Sequence, residues 1–190
     1  MHLDGLKVAV LVTDGYEPSE LTEPVAALRG AGADVTVVSD HDGTIRGKTD
    51  ADLATVDLTL DAARPTDYAA LLLPGGVKNP DTMRQDERGV AFVRHFADAG
   101  KPIAAICHAP WMLIEADAVR GRRVTSYPSL KTDLRNAGAE WVDAEVVVDA
   151  GLVMSRSPKD LPAFNTKMLE EFAEGRHERR EAAQATGART

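Results

Sequence analysis

Three short apolar runs restrict the fold of this 190-residue chain more than any other feature: LKVAVLVT (6–13), YAALLL (68–73) and PIAAI (102–106). A strand with one face in water alternates apolar and polar residues, whereas a strand covered on both faces does not. These runs therefore predict central strands of a mainly parallel sheet, and DVTVVS (34–39) supplies another. Between them the spacing turns helical. Leu21, Val25 and Leu28 mark a helix over 19–29 closed by Gly30 and Gly32, and Val90, Val93 and Phe96 mark one over 87–99 ending at Gly100. Further on, a helix is expected over 111–118, a strand over 123–126, a short helix over 130–136 and a last helix over 161–173. Residues 146–148 and 152–155, around Asp149-Ala150-Gly151, read as a hairpin. Residues 40–67 read as loops with room for a small strand pair. Such alternation predicts an α/β fold, a three-layer α/β/α sandwich with right-handed crossovers. One domain is expected over residues 1–174, and a polar tail over 175–190 is expected to be disordered.

The carboxyl ends of parallel strands are where such sheets hold their sites. Three loops emerge there, at 14–20, 74–81 and 107–110. The third carries the only cysteine, Cys107, between PIAAI and Pro110, a residue suited to the first turn of a helix. A sharp strand-to-helix turn lifts a side chain above the sheet edge and aims backbone N–H groups at it. A thiol so placed is expected to have a lowered pKa and to act as a nucleophile, although a lone cysteine can also be a small buried hydrophobe.

Each neighbour has a functional and an ordinary reading. His108 could serve as general base, or contribute only its backbone N–H to an oxyanion hole. Gly76, in Pro74-Gly75-Gly76, could supply the second donor or be a plain turn. Glu17, in Asp14-Gly15-Tyr16-Glu17-Pro18, could fold over Cys107 as a protonated carboxyl or be solvated. Glu20 and Glu23 read as favourable charges in a first helical turn. Asp81 could be a helix N-cap or could orient His108.

A net charge of −8 argues against nucleic acid as a partner. A single cysteine excludes an internal disulfide and, with no basic-then-apolar leader, suggests a cytoplasmic setting. No apolar stretch approaches the roughly 18 residues that would span a bilayer. No His/Cys/Asp set has metal-ligand spacing, and no phosphate-cradling glycine loop is present, so no metal and no cofactor are expected.

The segments LLLPGG (71–76), NPD (79–81), GKPIAAICHAPWMLIEA (100–116), RGRRVTSYPSLKTDLRNAGAEWVDAEVVV (120–148) and SRSPKDLPAF (155–164) resemble the PfpI family of the class I glutamine-amidotransferase-like superfamily. The resemblance covers roughly residues 6–174. It implies a flavodoxin-like core, a homodimer that can assemble into hexamers, Cys107 as nucleophile with Glu17 as its carboxyl partner, and His108 in the catalytic histidine position. An acid from the neighbouring subunit orients that histidine in the family. Asp81 holds the matching position, one methylene shorter and in a loop one residue longer. The segment around Ser155-Arg156-Ser157 lacks the distal histidine of glutamine amidotransferases, which argues against glutamine hydrolysis.

Three functions follow as expectations. The first is a stress-protective hydrolase or lyase acting on reactive carbonyls such as methylglyoxal and glyoxal, or on their protein adducts, in the manner of a glyoxalase or deglycase. The second is an intracellular cysteine peptidase. The third is a redox-sensing chaperone that uses Cys107.

Overall fold

The computed structural model describes residues 2–177. Its main sheet has seven strands. In chain order the elements are β1 (Lys7–Leu11), α1 (Pro18–Gly30), β2 (Asp34–Ser39), β3 (Thr44–Arg46), β4 (Leu53–Thr55), β5 (Leu58–Thr59), β6 (Ala70–Leu73), α2 (Lys78–Met83), α3 (Glu87–Asp98), β7 (Ile103–Ile106), α4 (Pro110–Glu115), β8 (Arg123–Val124), α5 (Lys131–Asn136), β9 (Glu140–Trp141), β10 (Val147–Asp149), β11 (Leu152–Ser155) and α6 (Leu161–Glu174). The sheet order is β10-β11-β7-β6-β1-β2-β5. Only β10 runs antiparallel.

The apolar runs lie where two-sided burial requires them. On β1, Val8 and Val10 face one core cluster and Ala9 and Leu11 the other, following the two-residue period of a strand. One cluster takes Leu21, Val25 and Leu28 from α1 and Phe164, Met168 and Phe172 from α6. The other takes Phe92, Val93 and Phe96 from α3 and Met112 and Leu113 from α4. Helices thus cover both faces, as the runs predict. Phe96 is fully buried, so Phe96→Ala is expected to cost about 3–5 kcal/mol, read as a lower urea midpoint at unchanged slope.

The expected hairpin forms between β10 and β11, with Asp149 opposite Leu152. Its two loop residues, Ala150 (φ 43°) and Gly151 (φ 82°), both have positive φ, as a type I′ turn needs. β3 and β4 form the expected small pair. Three details differ from expectation. β5 extends the main sheet beside β2, β8 and β9 form a separate parallel pair, and α2 occupies a stretch predicted to be loop. Elements of two to six residues carry too little periodicity to be read. The tail expectation falls, from residue 178 on, outside the described residues. Among the described residues no helix is long and apolar enough to cross a membrane.

Candidate active site

β1, β6 and β7 end at one edge of the sheet, and the loops that follow them meet there. Cys107 follows the last residue of β7 and has φ 64°, in the left-handed region that side chains other than glycine avoid. The strained backbone is held from two sides. Its N–H donates to the Ser155 carbonyl (3.0 Å), and its carbonyl accepts from the Tyr127 N–H (2.9 Å). A non-glycine residue kept in this conformation at a sheet edge has the geometry of an elbow that can present a nucleophile.

Cys107 is 7% exposed and faces the Glu20 carboxyl. Contrary to the sequence-based expectation, its thiol is not acidified at rest. Burial pushes its pKa up, and the charge and hydrogen bonding of Glu20 add to the rise; the Gly76 and His108 amides, aimed at the sulfur, pull the other way. α4, at six residues, is too short to supply a strong dipole.

Glu20 lies in the first turn of α1, as expected, but buried at the thiol rather than as a solvated charge. It is 0% exposed, and its carboxyl lies beside the Cys107 thiol and the Gly75 and Gly76 amides. Neither oxygen has an ideally oriented hydrogen bond, and both are sealed from solvent. Burial, reinforced by the charge of Glu17, raises its pKa to about 7, although the neighbouring donors oppose the rise. Glu17, expected in this role, precedes α1 in extended conformation and lines the cavity instead, 3.7 Å from Lys48 Nζ. The physical reason is the helical phase. Glu20 sits on the buried stripe of α1 with Pro24 and Leu28, at steps of four residues, whereas Glu17 lies outside the helix. An acid on an apolar stripe was the available signal, hidden by its ordinary reading as a first-turn charge.

His108 turns back on its own neighbour. Its Nδ1 lies 3.1 Å from Cys107 Sγ and its Nε2 3.2 Å from Ser129 Oγ. The ring stacks on Tyr127 at 4.6 Å and 24°. Burial lowers its pKa, so the imidazole is neutral at pH 7 and able to take a proton. Asp81 does not cap α2, whose N-cap position is Val77. Its carboxylate pairs with Arg84 at 2.7 Å, and the Arg84 guanidinium lies over Trp111. Within the described residues the His108 ring nitrogens meet Cys107 and Ser129, not Asp81.

Asn79, which sequence reasoning passed over, is 2% exposed and fixes the glycine loop. Its Nδ2 donates to the Pro74 and Gly75 carbonyls, both at 2.9 Å, and its Oδ1 accepts from the Thr13 N–H at 2.8 Å. A Cβ on Gly75 would strike the Glu20 carboxyl and lie 2.7 Å from Cys107 Cβ. Gly75→Ala is therefore expected to leave a folded protein whose Cys107 alkylation by iodoacetamide is slowed at least tenfold, because the carboxyl and thiol can no longer sit together.

An open cavity of about 680 Å³ leads to the thiol, lined by Tyr16, Glu17, Lys48, Gly76 and Tyr127 among others. Its size suits a small molecule. Among the described residues, Glu171, Glu174 and His177 bring three candidate ligand atoms within 4.8 Å, a set the sequence spacing did not flag. There Glu171 already pairs with His177 at 3.2 Å and is bonded by the Gly151 amide.

The sequence model of the DJ-1/PfpI family matches residues 6–171. This chain belongs to that family. It is 48% identical over 165 residues to Protein/nucleic acid deglycase 2 of Escherichia coli (strain K12), covering 86% of this chain and 95% of the relative. It is 43% identical over 164 residues to YraA of Bacillus subtilis (strain 168), whose name gives it as a candidate cysteine protease, covering 86% and 96%. The crystal structure of Drosophila melanogaster DJ-1beta superposes with a TM-score of 0.82 at 31% identity, covering 89% of this chain and 91% of that one. The fold is accordingly the DJ-1/PfpI form of the flavodoxin-like sandwich that the motifs implied.

Proposed function

We propose that this protein is a cysteine-dependent enzyme that processes reactive carbonyls, acting on dicarbonyls such as methylglyoxal or on their adducts with protein groups. The observation that carries the reading is the buried pair of Cys107 and Glu20 at the end of the cavity, with the carboxyl poised at about 7. Two groups that share one proton beside a neutral histidine can add a thiol to an aldehyde and move protons without metal or cofactor. The deglycase name of the Escherichia coli relative supports the same class.

The chemistry balances within the site. Cys107 sulfur bonds to the aldehyde carbon of methylglyoxal, and the carbonyl oxygen takes a proton from Glu20 to give a hemithioacetal. The Gly76 and His108 amides, which already point at the sulfur, hold the developing alkoxide. A base removes the hydrogen from that carbon, and the neighbouring ketone carbon is protonated in turn. The product is a lactyl thioester with no net change in oxidation. Water cleaves it to lactate and restores the thiol. For a glycated amine at the early hemiaminal stage, the C–S bond replaces the C–N bond, the amine leaves with the Glu20 proton, and the same hemithioacetal results.

A peptidase would use the same nucleophile, and the name of the Bacillus subtilis relative favours it as the second reading. The stacked His108–Tyr127 rings border the cavity, however, and a peptide would have to pass them to reach a thiol that is 7% exposed. The proposed setting is cytoplasmic. A homodimer, in which Asp81 of a second copy approaches His108, belongs to the proposal as well, and the net charge of −8 favours small carbonyl compounds over duplex nucleic acid as substrates.

The test is methylglyoxal consumption and lactate formation in an amine-free, thiol-free buffer, by wild type and Cys107→Ser. Stoichiometric lactate over many turnovers, absent from the variant, is expected. Consumption limited to one equivalent would mean a trapped thiol adduct and would overturn the enzyme reading. Peptide release blocked by iodoacetamide would favour the peptidase.

A further inference from the structure

We infer that Ser129 is a positioning residue for His108, setting its tautomer from within the chain so that Nδ1 presents a lone pair to the Cys107 sulfur. The observation is the two-ended hold on the imidazole, with Sγ 3.1 Å from Nδ1 and Ser129 Oγ 3.2 Å from Nε2. A neutral imidazole carries one N–H, and the partner of one nitrogen decides the role of the other. Among the described residues the ring nitrogens meet only Cys107 and Ser129, and burial keeps the ring neutral.

Which nitrogen holds the proton follows from what surrounds each. The sulfur already receives the amides of Gly76 and His108 and faces the Glu20 carboxyl, so it is well supplied with donors. A further N–H from Nδ1 would add little there, whereas a lone pair at Nδ1 can accept the S–H of the resting thiol, which burial keeps protonated. The Ser129 hydroxyl offers acceptor lone pairs to an Nε2–H at all times and can give its own proton to water. Ser129 lies in the one-turn 3-10 helix Pro128–Leu130, directly after Tyr127. One loop therefore both stacks the ring and bonds its far edge, and Leu130, 0% exposed, anchors that loop in the core.

The inference rests on the carbonyl-processing reading only for the step in which the base acts. Its test does not. Nitrogen-15 spectra of the histidine rings, with His108 assigned through His108→Gln, read the tautomer directly. An Nε2-protonated ring is expected in wild type at pH 7.5, a mixture of tautomers in Ser129→Ala, and recovery in Ser129→Thr. The rate of Cys107 alkylation by iodoacetamide should fall about fivefold in Ser129→Ala and return in Ser129→Thr, the size of one net hydrogen bond. An Nδ1-protonated ring in wild type, or spectra unchanged in Ser129→Ala, would overturn the inference. So would a change of tautomer produced by Asp81→Asn alone, which would assign the role to the acid of a second copy. If no lactate forms while the tautomer still depends on Ser129, the proposed reaction fails and the positioning role stands.

Discussion

Replacing Cys107 by serine is expected to lower carbonyl turnover by at least about 10³-fold while leaving the fold in place. A hydroxyl ionises far above a thiol, and a carboxyl poised at about 7 cannot draw its proton off. The smaller oxygen also withdraws from the Gly76 and His108 amides, which are aimed at the sulfur. The fold should persist because the elbow is held through backbone bonds, from Cys107 N–H to Ser155 and from Tyr127 N–H to the Cys107 carbonyl, which serine keeps. The check is kcat for lactate formation beside the circular dichroism spectrum. A variant that retained even a tenth of the wild-type rate would show that the thiol is not the nucleophile.

Glu20→Gln should have an effect of similar size on activity and the opposite effect on stability. Burial raises the carboxyl from 4.5 to about 7, so the folded chain binds its proton more tightly than the unfolded chain does. The stability this confers is fully present below pH 4.5, declines as pH rises towards 7, and is gone above that. The loss is about 3 kcal/mol, from roughly 1.4 kcal/mol for each unit. Glutamine, which does not ionise, escapes it. Relative to wild type, Glu20→Gln is therefore expected to gain about 3 kcal/mol between pH 4 and pH 8, roughly 6–12 °C in Tm for a chain of this size. A difference between the two proteins that did not vary with pH would contradict a buried, titrating Glu20. Glu17→Gln is the informative contrast. It should retain turnover and move the titration midpoint slightly below 7, because the charge of Glu17 helps to hold Glu20 up.

The sheet was legible because two-sided burial writes itself into sequence. Val8 to Leu11 alternate between two cores and so must all be apolar, and the same holds for the strand that ends at Cys107. The elbow was legible because Pro110 fixes where the helix after it begins. The choice between Glu17 and Glu20 was not. Both are glutamates at the mouth of the same helix, and only the helical phase, which places residue 20 above the sheet, separates them. The acidity of the thiol was misjudged for a related reason, since a turn into a helix suggests donors, and the buried carboxylate opposite it is seen only once α1 is packed. Ser129 reaches His108 from 21 residues away, and Asn79 ties the glycine loop to Thr13 across 66 residues, and no local pattern announces such long-range contacts.

The most direct measurement is the pH dependence of lactate formation from methylglyoxal between pH 5 and 9, for wild type and Glu20→Gln. If Cys107 and Glu20 hold one proton between them in the active form, wild-type kcat/KM rises about tenfold per pH unit below 7 and levels off above it. In Glu20→Gln the plateau disappears and the residual rate climbs only at the higher pH where a lone buried thiol ionises. A wild-type profile flat through pH 7, or one that Glu20→Gln leaves unchanged, would contradict the shared proton and the mechanism built on it.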